Sequence, residues 1–291
     1  MTRPVTALAL AATITALAAP AAFAQADITG FWGFRPHEDQ PERGPGPDVG
    51  EYMGTPFSPA SLTRADAWSA SRQTVPENQC KPHPAGYQIN FQGVRIAREV
   101  DPVTEQTIAF NTAISWMTPK RKIWMDGRPH PGPNALHTWE GFSTGHWEAD
   151  VLVVDTTHLK MGYVHRNGLA YSEKATLREY ITRTGDVLTW NMIVYDPAYL
   201  TEPFMRNRDY QMEPGLEVGI YPCAVETEIP RAEGVIPHYL PGTNDQLGEF
   251  AENFNLPLEA TRAGAESMYP EFQSRIVGGY KAPTPARRGA K

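Results

Sequence analysis

The feature that most constrains the fold is a change of hydrophobic period at about residue 87. In residues 108–116, for example, Ile108, Phe110 and Trp116 fall on alternate positions and are separated by small or polar residues. A period of two is typical of a strand with one buried face. Because several such runs follow one another without intervening helices, they predict an antiparallel sheet that curls into a barrel or a sandwich.

Turn residues separate the predicted strands. Residues 184–186, Thr-Gly-Asp, lie between strand-like residues 175–183 and 187–195, which is the pattern of a hairpin. Residues 151–154 are apolar on both faces and predict a central strand. The 27 Pro and 24 Gly residues supply many turns and disfavour a helical bundle. We therefore expect a mainly all-β fold, an antiparallel lipocalin-like barrel with an N-terminal helix and loop-rich flanking arms.

The chain divides into four predicted segments. They are a signal peptide over 1–24, a loop-rich N-terminal arm over 25–86, the barrel core over 87–225, and a C-terminal arm with a disordered tail over 226–291. The N-terminal arm contains a short first strand at 28–33 and an amphipathic helix at 58–72, which begins with a Ser-Pro pair suited to a helix start. A core of this length is the size of a single domain.

The first 24 residues have the pattern of a secretory signal. Arg3 precedes an apolar stretch over 5–17, and residues 22–24, Ala-Phe-Ala, form a small-x-small cleavage site. A cut after Ala26 is the alternative. This pattern predicts a bacterial protein that is periplasmic or secreted. No later stretch reaches the ~18 apolar residues of a membrane span. The net charge of −7 argues against nucleic acid as a partner. A small molecule is the expected partner. The oligomeric state stays open.

The predicted export bears on whether the two cysteines are oxidised. Cys80 and Cys223 are the only cysteines of the chain. Because exported chains meet an oxidising compartment, we expect a disulfide between them, and two buried thiols are the alternative. Neither cysteine has the spacing of a zinc site.

Residues 139–157, WEGFSTGHWEADVLVVDTT, carry a resemblance. They resemble the signature W-x-G-x-S-x-G-x-W-E-G-D-T-L-V-V-D-T of an uncharacterised family of exported bacterial β-rich proteins. The chain departs from it at His146, where the family has Arg, at Ala149, where it has Gly, and at Val151, where it has Thr. The resemblance implies export and β architecture and no established activity. The W-E-x-D-x-L-V-V hairpin pattern is more distantly similar to that of lipocalin-like (calycin) barrels.

The stretch 141–145 also matches the nucleophile motif G-x-S-x-G. In a hydrolase of that type the serine occupies a sharp turn between a strand and a helix. Residues 146–155 read as a strand here, so the required context is missing. A Gly-rich turn that enters a strand is the simpler interpretation of this motif.

Histidines are dense between residues 130 and 165 and raise the question of a metal. His146 and Glu148 form an H-x-E pair whose side chains share one face of a strand. The other histidines of the stretch are His130, His137, His158 and His165. No H-x-H pair is present, so we expect no cofactor and keep a bound metal as the alternative.

Acid–base chemistry is the main catalytic hypothesis. His165 lies in a polar loop, and a histidine beside a carboxylate suits proton transfer near neutral pH. Glu173 and Glu179 are the candidate carboxylate partners of His165. Glu179 shares a strand face with apolar residues, which is unusual unless the carboxylate is paired or functional. A buried ion pair with Arg121 or Arg128 is the structural alternative. His165, Glu179 and His130 are the candidate catalytic residues.

A second group of residues is expected to bind the ligand. Its members are Arg121, Arg128, Trp139, His146, Glu148 and Tyr180. Barrels of about eight strands have room for one small ligand. We therefore predict a lyase, isomerase or hydrolase that acts on a small organic molecule in a barrel cavity. The alternative is a non-catalytic lipocalin-like binding protein for an apolar or aromatic ligand.

Overall fold

The computed structural model of the chain describes residues 25–35, 47–52, 54–75, 78, 80–89, 93–114, 120–215, 238–274 and 276. The predicted signal peptide, Cys223, Trp116 and the end of the predicted disordered tail lie outside these residues.

Among the described residues, eleven strands form a closed nine-stranded barrel and one separate two-stranded ribbon. The strands are β1 (Gly30–Arg35), β2 (Val94–Val100), β3 (Thr107–Ile114), β4 (Arg121–Trp124), β5 (Phe142–Glu148), β6 (Val151–Thr157), β7 (Gly162–Tyr163), β8 (Ala170–Tyr171), β9 (Thr176–Thr184), β10 (Val187–Tyr195) and β11 (Phe204–Met212). The order around the barrel is β1-β11-β10-β9-β6-β5-β4-β3-β2, and β7 pairs with β8. The predicted mainly all-β barrel is confirmed.

The odd number of strands has a geometric consequence. Strand directions cannot alternate all the way around a closed ring of nine, so at least one neighbouring pair must be parallel. That pair is β4 and β5, in which Ile123 faces Ser143 and Trp124 faces Thr144. The connection over 125–141 returns the chain to the end of the barrel at which β4 began. The other eight pairs are antiparallel, as the sequence predicts.

The first strand belongs to the barrel and not to a loose arm. In β1, Trp32 faces Val94 of β2 and Met212 of β11, so β1 closes the ring. Trp32 is fully buried, and its indole Nε1 donates a hydrogen bond to the carbonyl oxygen of Ile28 at 2.9 Å. The barrel therefore begins at Gly30, well before the boundary at residue 87 that was predicted for the core.

The barrel interior is filled by the inward faces of its strands. Alternate residues of β9 and β10 are buried, as the period of two predicts. On β10 the inward residues are Leu188, Trp190, Met192 and Val194, each at most 1% exposed. Full burial of a large apolar side chain contributes about 1.5–3 kcal/mol to stability. The same inward face of β9 also carries Glu179, which has no solvent exposure.

Two tight hairpins shape one side of the barrel. The turn between β9 and β10 contains Gly185 at a φ of 60°, as predicted. Residues 146–155, however, are not one strand, because a two-residue turn of Ala149 and Asp150 separates β5 from β6. Ala149 adopts a φ of 55°, a left-handed conformation that favours glycine. This turn corrects the single strand that the sequence suggested there.

Short helices lie in the N-terminal and C-terminal arms. Helix α1 (Pro59–Asp66) starts at the predicted Ser-Pro pair, and Ser58 Oγ accepts a hydrogen bond from the Ser61 backbone nitrogen at 3.4 Å. It is shorter than predicted, and a 3-10 turn over Ala70–Thr74 follows it. Three further α-helices of the described ranges are α2 (Glu249–Phe254), α3 (Leu258–Thr261) and α4 (Pro270–Gln273). No helix in the described part of the chain has the length and apolar character to cross a bilayer.

The two flanking arms pack against each other. Asp66 at the end of α1 pairs with the Arg262 guanidinium and accepts a hydrogen bond from Tyr52 Oη at 2.5 Å. Asn244 Nδ2 donates to the Asp66 carbonyl oxygen at 2.8 Å. The Tyr52 backbone nitrogen donates to the carbonyl oxygen of Thr261 at 3.1 Å. These bonds hold the C-terminal arm against α1.

Candidate functional site

A pocket of about 690 Å³ lies beside the barrel and not inside it. Its walls are α1 with the residues that follow it, the segment around Lys81 and His83, Trp139, the β7–β8 segment, and His238 with Pro241. None of the lining residues that the structure describes belongs to a barrel strand. The sequence suggested a cavity inside the barrel, whereas this pocket is built from the connecting segments and the two arms.

Positive charge dominates this pocket. Arg64, Arg72, Lys81 and Arg166 line it, and no Asp or Glu is among its described lining residues. This bias is notable in a chain whose net charge is −7. Burial and the neighbouring Arg72 and Arg64 lower the pKa of Lys81, and burial with Arg64 lowers the pKa of Arg72. The cations therefore repel one another, and a bound anion would relieve that repulsion. We call this site the cationic pocket.

Aromatic rings provide the apolar part of the cationic pocket. Trp68, Trp139 and Tyr163 line it. The Lys81 ammonium lies 4.9 Å from the centre of the Trp139 ring, and the Lys160 ammonium lies 5.3 Å from it. A pocket that joins cations to aromatic surface suits a ligand with a negative group on an apolar or aromatic body.

A buried imidazole and a phenol meet in one wall. His83 Nδ1 is hydrogen-bonded to Tyr163 Oη, and the Tyr163 ring packs edge-on against Tyr87 at 4.6 Å between centroids. Burial and the Arg166 charge lower the pKa of His83 to about 4, so its ring is neutral at pH 7. Burial raises the pKa of Tyr163. A neutral imidazole beside a phenol can donate or accept one proton at a bound ligand.

His165, the first predicted catalytic residue, does line the pocket. It is 1% exposed, and its ring packs edge-on against Phe204 at 5.9 Å between centroids. Arg206 Nη2 lies 3.5 Å from His165 Nδ1. Burial and the Arg206 charge hold the pKa of His165 well below its ordinary value. The imidazole is therefore neutral at pH 7.

Glu179, its predicted partner, lies in the barrel interior and not in the pocket. Arg121 Nη1 donates to Glu179 Oε1 at 3.0 Å, and Arg121 Nη2 makes a second bond to the other carboxylate oxygen. Trp190 Nε1 donates to Glu179 Oε1 at 3.0 Å. Arg121 also donates to Ser143 Oγ at 3.1 Å and to Thr156 Oγ1 at 2.7 Å. This is the buried ion pair with Arg121 that the sequence offered as the structural alternative.

This network also accounts for the G-x-S-x-G motif. Ser143 lies within strand β5, is 1% exposed, and shares a hydrogen bond of 2.9 Å with Thr156 Oγ1. Gly141 has a φ of 65°, and a Cβ atom there would come within 2.5 Å of the Thr157 carbonyl oxygen. The glycine is needed for the turn into β5, as the simpler interpretation of the motif expects.

Glu140 is a buried acid that the sequence did not single out. It adjoins Trp139, and its Oε2 accepts a hydrogen bond from Gln88 Nε2. Its other oxygen, Oε1, has no hydrogen-bond partner within the described residues. Burial raises the pKa of Glu140 to about 8, against the opposing effects of Arg121 and Gln88. The carboxyl group is therefore protonated at neutral pH.

His130 and Arg128 lie away from the pocket. The two ring nitrogens of His130 hydrogen-bond Thr157 Oγ1 at 2.7 Å and Thr144 Oγ1 at 2.8 Å. Arg128 pairs with Asp126 at 2.5 Å and stacks 3.4 Å above the Trp124 ring centre. Neither side chain lines the cationic pocket, so the structure does not bring them to His165.

The remaining predicted ligand contacts lie on the outside of the barrel. His146 and Glu148 on β5 bond each other at 3.0 Å, and their side chains are 57% and 65% exposed. Tyr180 lies on β9 next to Glu179 and so points to the opposite face of the sheet. None of these three lines the pocket. Trp139 and His165 are the predicted site residues that the pocket does bring together.

The histidine-rich stretch is held by hydrogen bonds. His137 Nδ1 bonds the Leu159 carbonyl oxygen at 2.8 Å. His158 bonds Thr157 Oγ1 at 2.8 Å through Nδ1 and the Gly132 carbonyl oxygen at 2.9 Å through Nε2. The described ranges contain no group of three or more His, Cys, Asp or Glu that could hold a metal ion.

Cys80 borders the pocket segment. It is half-buried next to Lys81, and it is not a free thiol. Because Cys223 lies outside the described residues, the disulfide between the two cysteines stays a prediction.

Sequence reasoning missed Arg64, Arg72, Lys81 and His83 because they belong to the N-terminal arm, which reads as flanking loop. A usable signal was the Cys-Lys-Pro-His run over 80–83, since a loop that carries a cation and a histidine suits a binding surface. Comparisons of the chain with protein families, with curated proteins and with solved structures find no match.

Proposed function

We propose that this protein binds a small organic anion in the cationic pocket. The observation that carries the proposal is the lining itself. Arg64, Arg72, Lys81 and Arg166 converge there with tryptophan rings, without an Asp or Glu among the described lining residues.

The size and chemistry of the pocket support an organic ligand over an inorganic ion. Small-molecule pockets have volumes of about 300–1,000 Å³, and this pocket has about 690 Å³. Arginine suits carboxylate and phosphate because its planar guanidinium donates two parallel hydrogen bonds. Trp68 and Trp139 add the apolar surface that a hydrocarbon or aromatic body needs.

Isothermal titration calorimetry with matched ligands tests the proposal. We expect aromatic carboxylates to bind and their neutral primary amides to bind at least about tenfold more weakly, since an amide forfeits the charge-assisted bonds. Arg72→Gln and Lys81→Gln should each weaken carboxylate binding by about tenfold. Arg178→Gln is the control, because Arg178 pairs with Asp155 on the outer surface of the barrel. Equal binding of acid and amide, or unchanged binding in both pocket variants, would contradict the proposal.

A second candidate function is catalysis on the same anion. The hydrogen bond between His83 and Tyr163 favours it, because both side chains line the pocket and together can move a proton at a bound ligand. Tyr163→Phe should keep the affinity for the anion and abolish its conversion, followed by NMR of the bound acids. If the wild type leaves every bound acid unchanged on prolonged incubation, catalysis is contradicted and only the binding function is supported.

We also propose that the protein is exported to the periplasm or secreted. The apolar stretch over 5–17 and the Ala-Phe-Ala site support this proposal. The mass of the protein recovered from a bacterial periplasmic fraction tests it, since cleavage after Ala24 leaves a chain that starts at Gln25. A full-length mass and a cytoplasmic location would contradict it.

A further inference from the structure

Resting on the function proposed above, we infer that Lys81 is an amine nucleophile that forms a Schiff base with an oxo acid bound in the cationic pocket. An oxo acid carries an aldehyde or ketone carbonyl as well as its acidic group. The acidic group binds the arginines of the pocket, and the carbonyl carbon reacts with Lys81 Nζ. The lining that carries this inference contains one described lysine, Lys81, together with Arg64, Arg72 and Trp139.

The chain segment that carries Lys81 is fixed beside the segment that carries Trp139. The Lys81 backbone nitrogen donates to the Asn78 carbonyl oxygen at 3.3 Å. Pro82 follows, and its ring restricts the backbone φ at that position. The Ala85 backbone nitrogen then donates to the Trp139 carbonyl oxygen at 3.0 Å. With the two segments joined in this way, the Lys81 ammonium lies 4.9 Å from the centre of the Trp139 ring.

The surroundings of Lys81 favour the neutral amine, which is the form that attacks a carbonyl. Burial lowers the pKa of Lys81, whose side chain is half-buried. The charges of Arg72, Arg64 and Lys160 lower this pKa further. No Asp or Glu is among the described lining residues to stabilise the ammonium. A lysine that is desolvated and lies next to other cations is an established arrangement for Schiff-base formation.

Two other lysines lack this combination of features. The Lys160 ammonium also lies near the Trp139 ring, at 5.3 Å from its centre, but its side chain is exposed and does not line the pocket. Lys174 lies at an exposed turn. Among the lysines that the structure describes, Lys81 alone lines the pocket. Labelling of Lys174 therefore reports the reactivity of an ordinary surface lysine.

The acidic group of the ligand has partners close to this amine. Arg64 and Arg72 line the pocket, and both charges act on Lys81. A carboxylate that accepts hydrogen bonds from these guanidinium groups holds the rest of a small molecule near Nζ. The apolar body of the same molecule can pack against the Trp139 ring. The substrate class is therefore a carboxylic acid with an aldehyde or ketone group on an aromatic or hydrocarbon body.

The proposed step needs no oxidant or reductant. The Lys81 ammonium first releases a proton to solvent, and the nitrogen lone pair attacks the carbonyl carbon, so that a C–N bond forms. A second proton moves from the nitrogen to the former carbonyl oxygen, which gives a carbinolamine. A proton returned by solvent lets this hydroxyl group leave as water, and the C–O bond breaks. The products are a protonated imine and one water molecule.

Reductive trapping tests the inference. The wild type is incubated near neutral pH with 3-formylbenzoate or 4-formylbenzoate and sodium cyanoborohydride, and the reduced adducts are located by peptide mass spectrometry. We expect at least one of the two probes to label Lys81 at least about tenfold more than Lys174, because the bound aldehyde is held near the amine. An excess of benzoate should remove this preference by occupying the pocket. The neutral aldehyde 4-formylbenzamide should show no preference.

Lys81→Arg should lose the preferred adduct and should bind benzoate more tightly in calorimetry than Lys81→Gln does, since arginine keeps the charge. Lys174→Arg is the matched control and should leave the Lys81 adduct in place. Equal labelling of Lys81 and Lys174 by both formylbenzoates, in a wild type that binds benzoate, would overturn the nucleophile inference while the anion-binding proposal stands. Absence of binding by every aromatic carboxylate would overturn both.

Discussion

Replacing Glu140 by Gln is expected to change how the free energy of unfolding depends on pH. The Glu140 carboxyl is buried, with a pKa of about 8 in the fold against 4.5 for an unperturbed group. Between these two values the folded chain holds a proton that the unfolded chain has released. Stability contributed by this proton is therefore fully present below pH 4.5 and is lost as the pH rises toward 8.

The magnitude follows from proton linkage. Each pH unit in this window lowers the free energy of unfolding by about 1.4 kcal/mol through this one group. Over the interval from 4.5 to 8 the loss amounts to roughly 5 kcal/mol. A glutamine side chain at this position would resemble the protonated acid in shape and would not ionise. The Glu140→Gln variant should therefore match the wild type near pH 4.5 and exceed it by several kcal/mol at pH 8.5.

Urea denaturation followed by tryptophan fluorescence measures this difference at half-unit steps from pH 4.5 to 8.5. The difference between variant and wild type cancels the other titrating groups, which both proteins share. Glu173→Gln, at an exposed turn, is the control for the effect of a Glu-to-Gln substitution as such. A difference between the Glu140→Gln variant and the wild type that stays flat across this range would refute the reasoning.

Three further predictions concern the fold. Glu179→Gln leaves the Arg121 charge buried without its carboxylate, so the free energy of unfolding in urea should fall by about 3–5 kcal/mol, and a loss below about 1 kcal/mol would contradict the ion pair's role. Ala149→Gly removes a left-handed alanine and should raise stability by about 1 kcal/mol in thermal unfolding; no gain would argue against that turn. Thiol titration of denatured protein should find no free thiol before reduction and two after it, from Cys80 and Cys223; two reactive thiols before reduction would rule out the disulfide.

Local pattern predicts the strands well and their partners less well. The β9–β10 hairpin follows from alternate apolar residues on each side of a Gly-containing turn, and both signals lie within about 20 residues. The parallel β4–β5 pair and the position of β1 depend on closure of the ring, which no local period encodes. Alanine at position 149 carries no turn signal of its own, so the local period indicated one strand, and only the resemblance indicated a hairpin there.

Glu179 pairs with Arg121 and not with Arg128 because another carboxylate lies close to Arg128. The sequence offered Arg121 and Arg128 with equal weight. Arg128 forms an ion pair with Asp126, which lies two residues away across a turn. Arg121, in contrast, points into the barrel from β4. Because Arg121 lies on the inward face of β4, its guanidinium pairs with the Glu179 carboxylate inside the barrel.

The pocket could not be predicted as a unit, because it joins segments that are far apart in the chain. Lys81, Trp139, Arg166 and His238 each read as loop residues when they are taken alone. The sequence analysis proposed His165 as a catalytic residue and Trp139 as a ligand contact, and both line this pocket. Their neighbours come from arms whose packing only the folded chain reveals.

A crystal structure of the protein with its tightest-binding aromatic carboxylate tests the central claim most directly. The account predicts that the ligand lies in the cationic pocket, with its carboxylate at Lys81 and Arg72 and its apolar body against the Trp139 ring. A ligand inside the barrel at Arg121 and Glu179, or on the outer surface at His146 and Glu148, would contradict it.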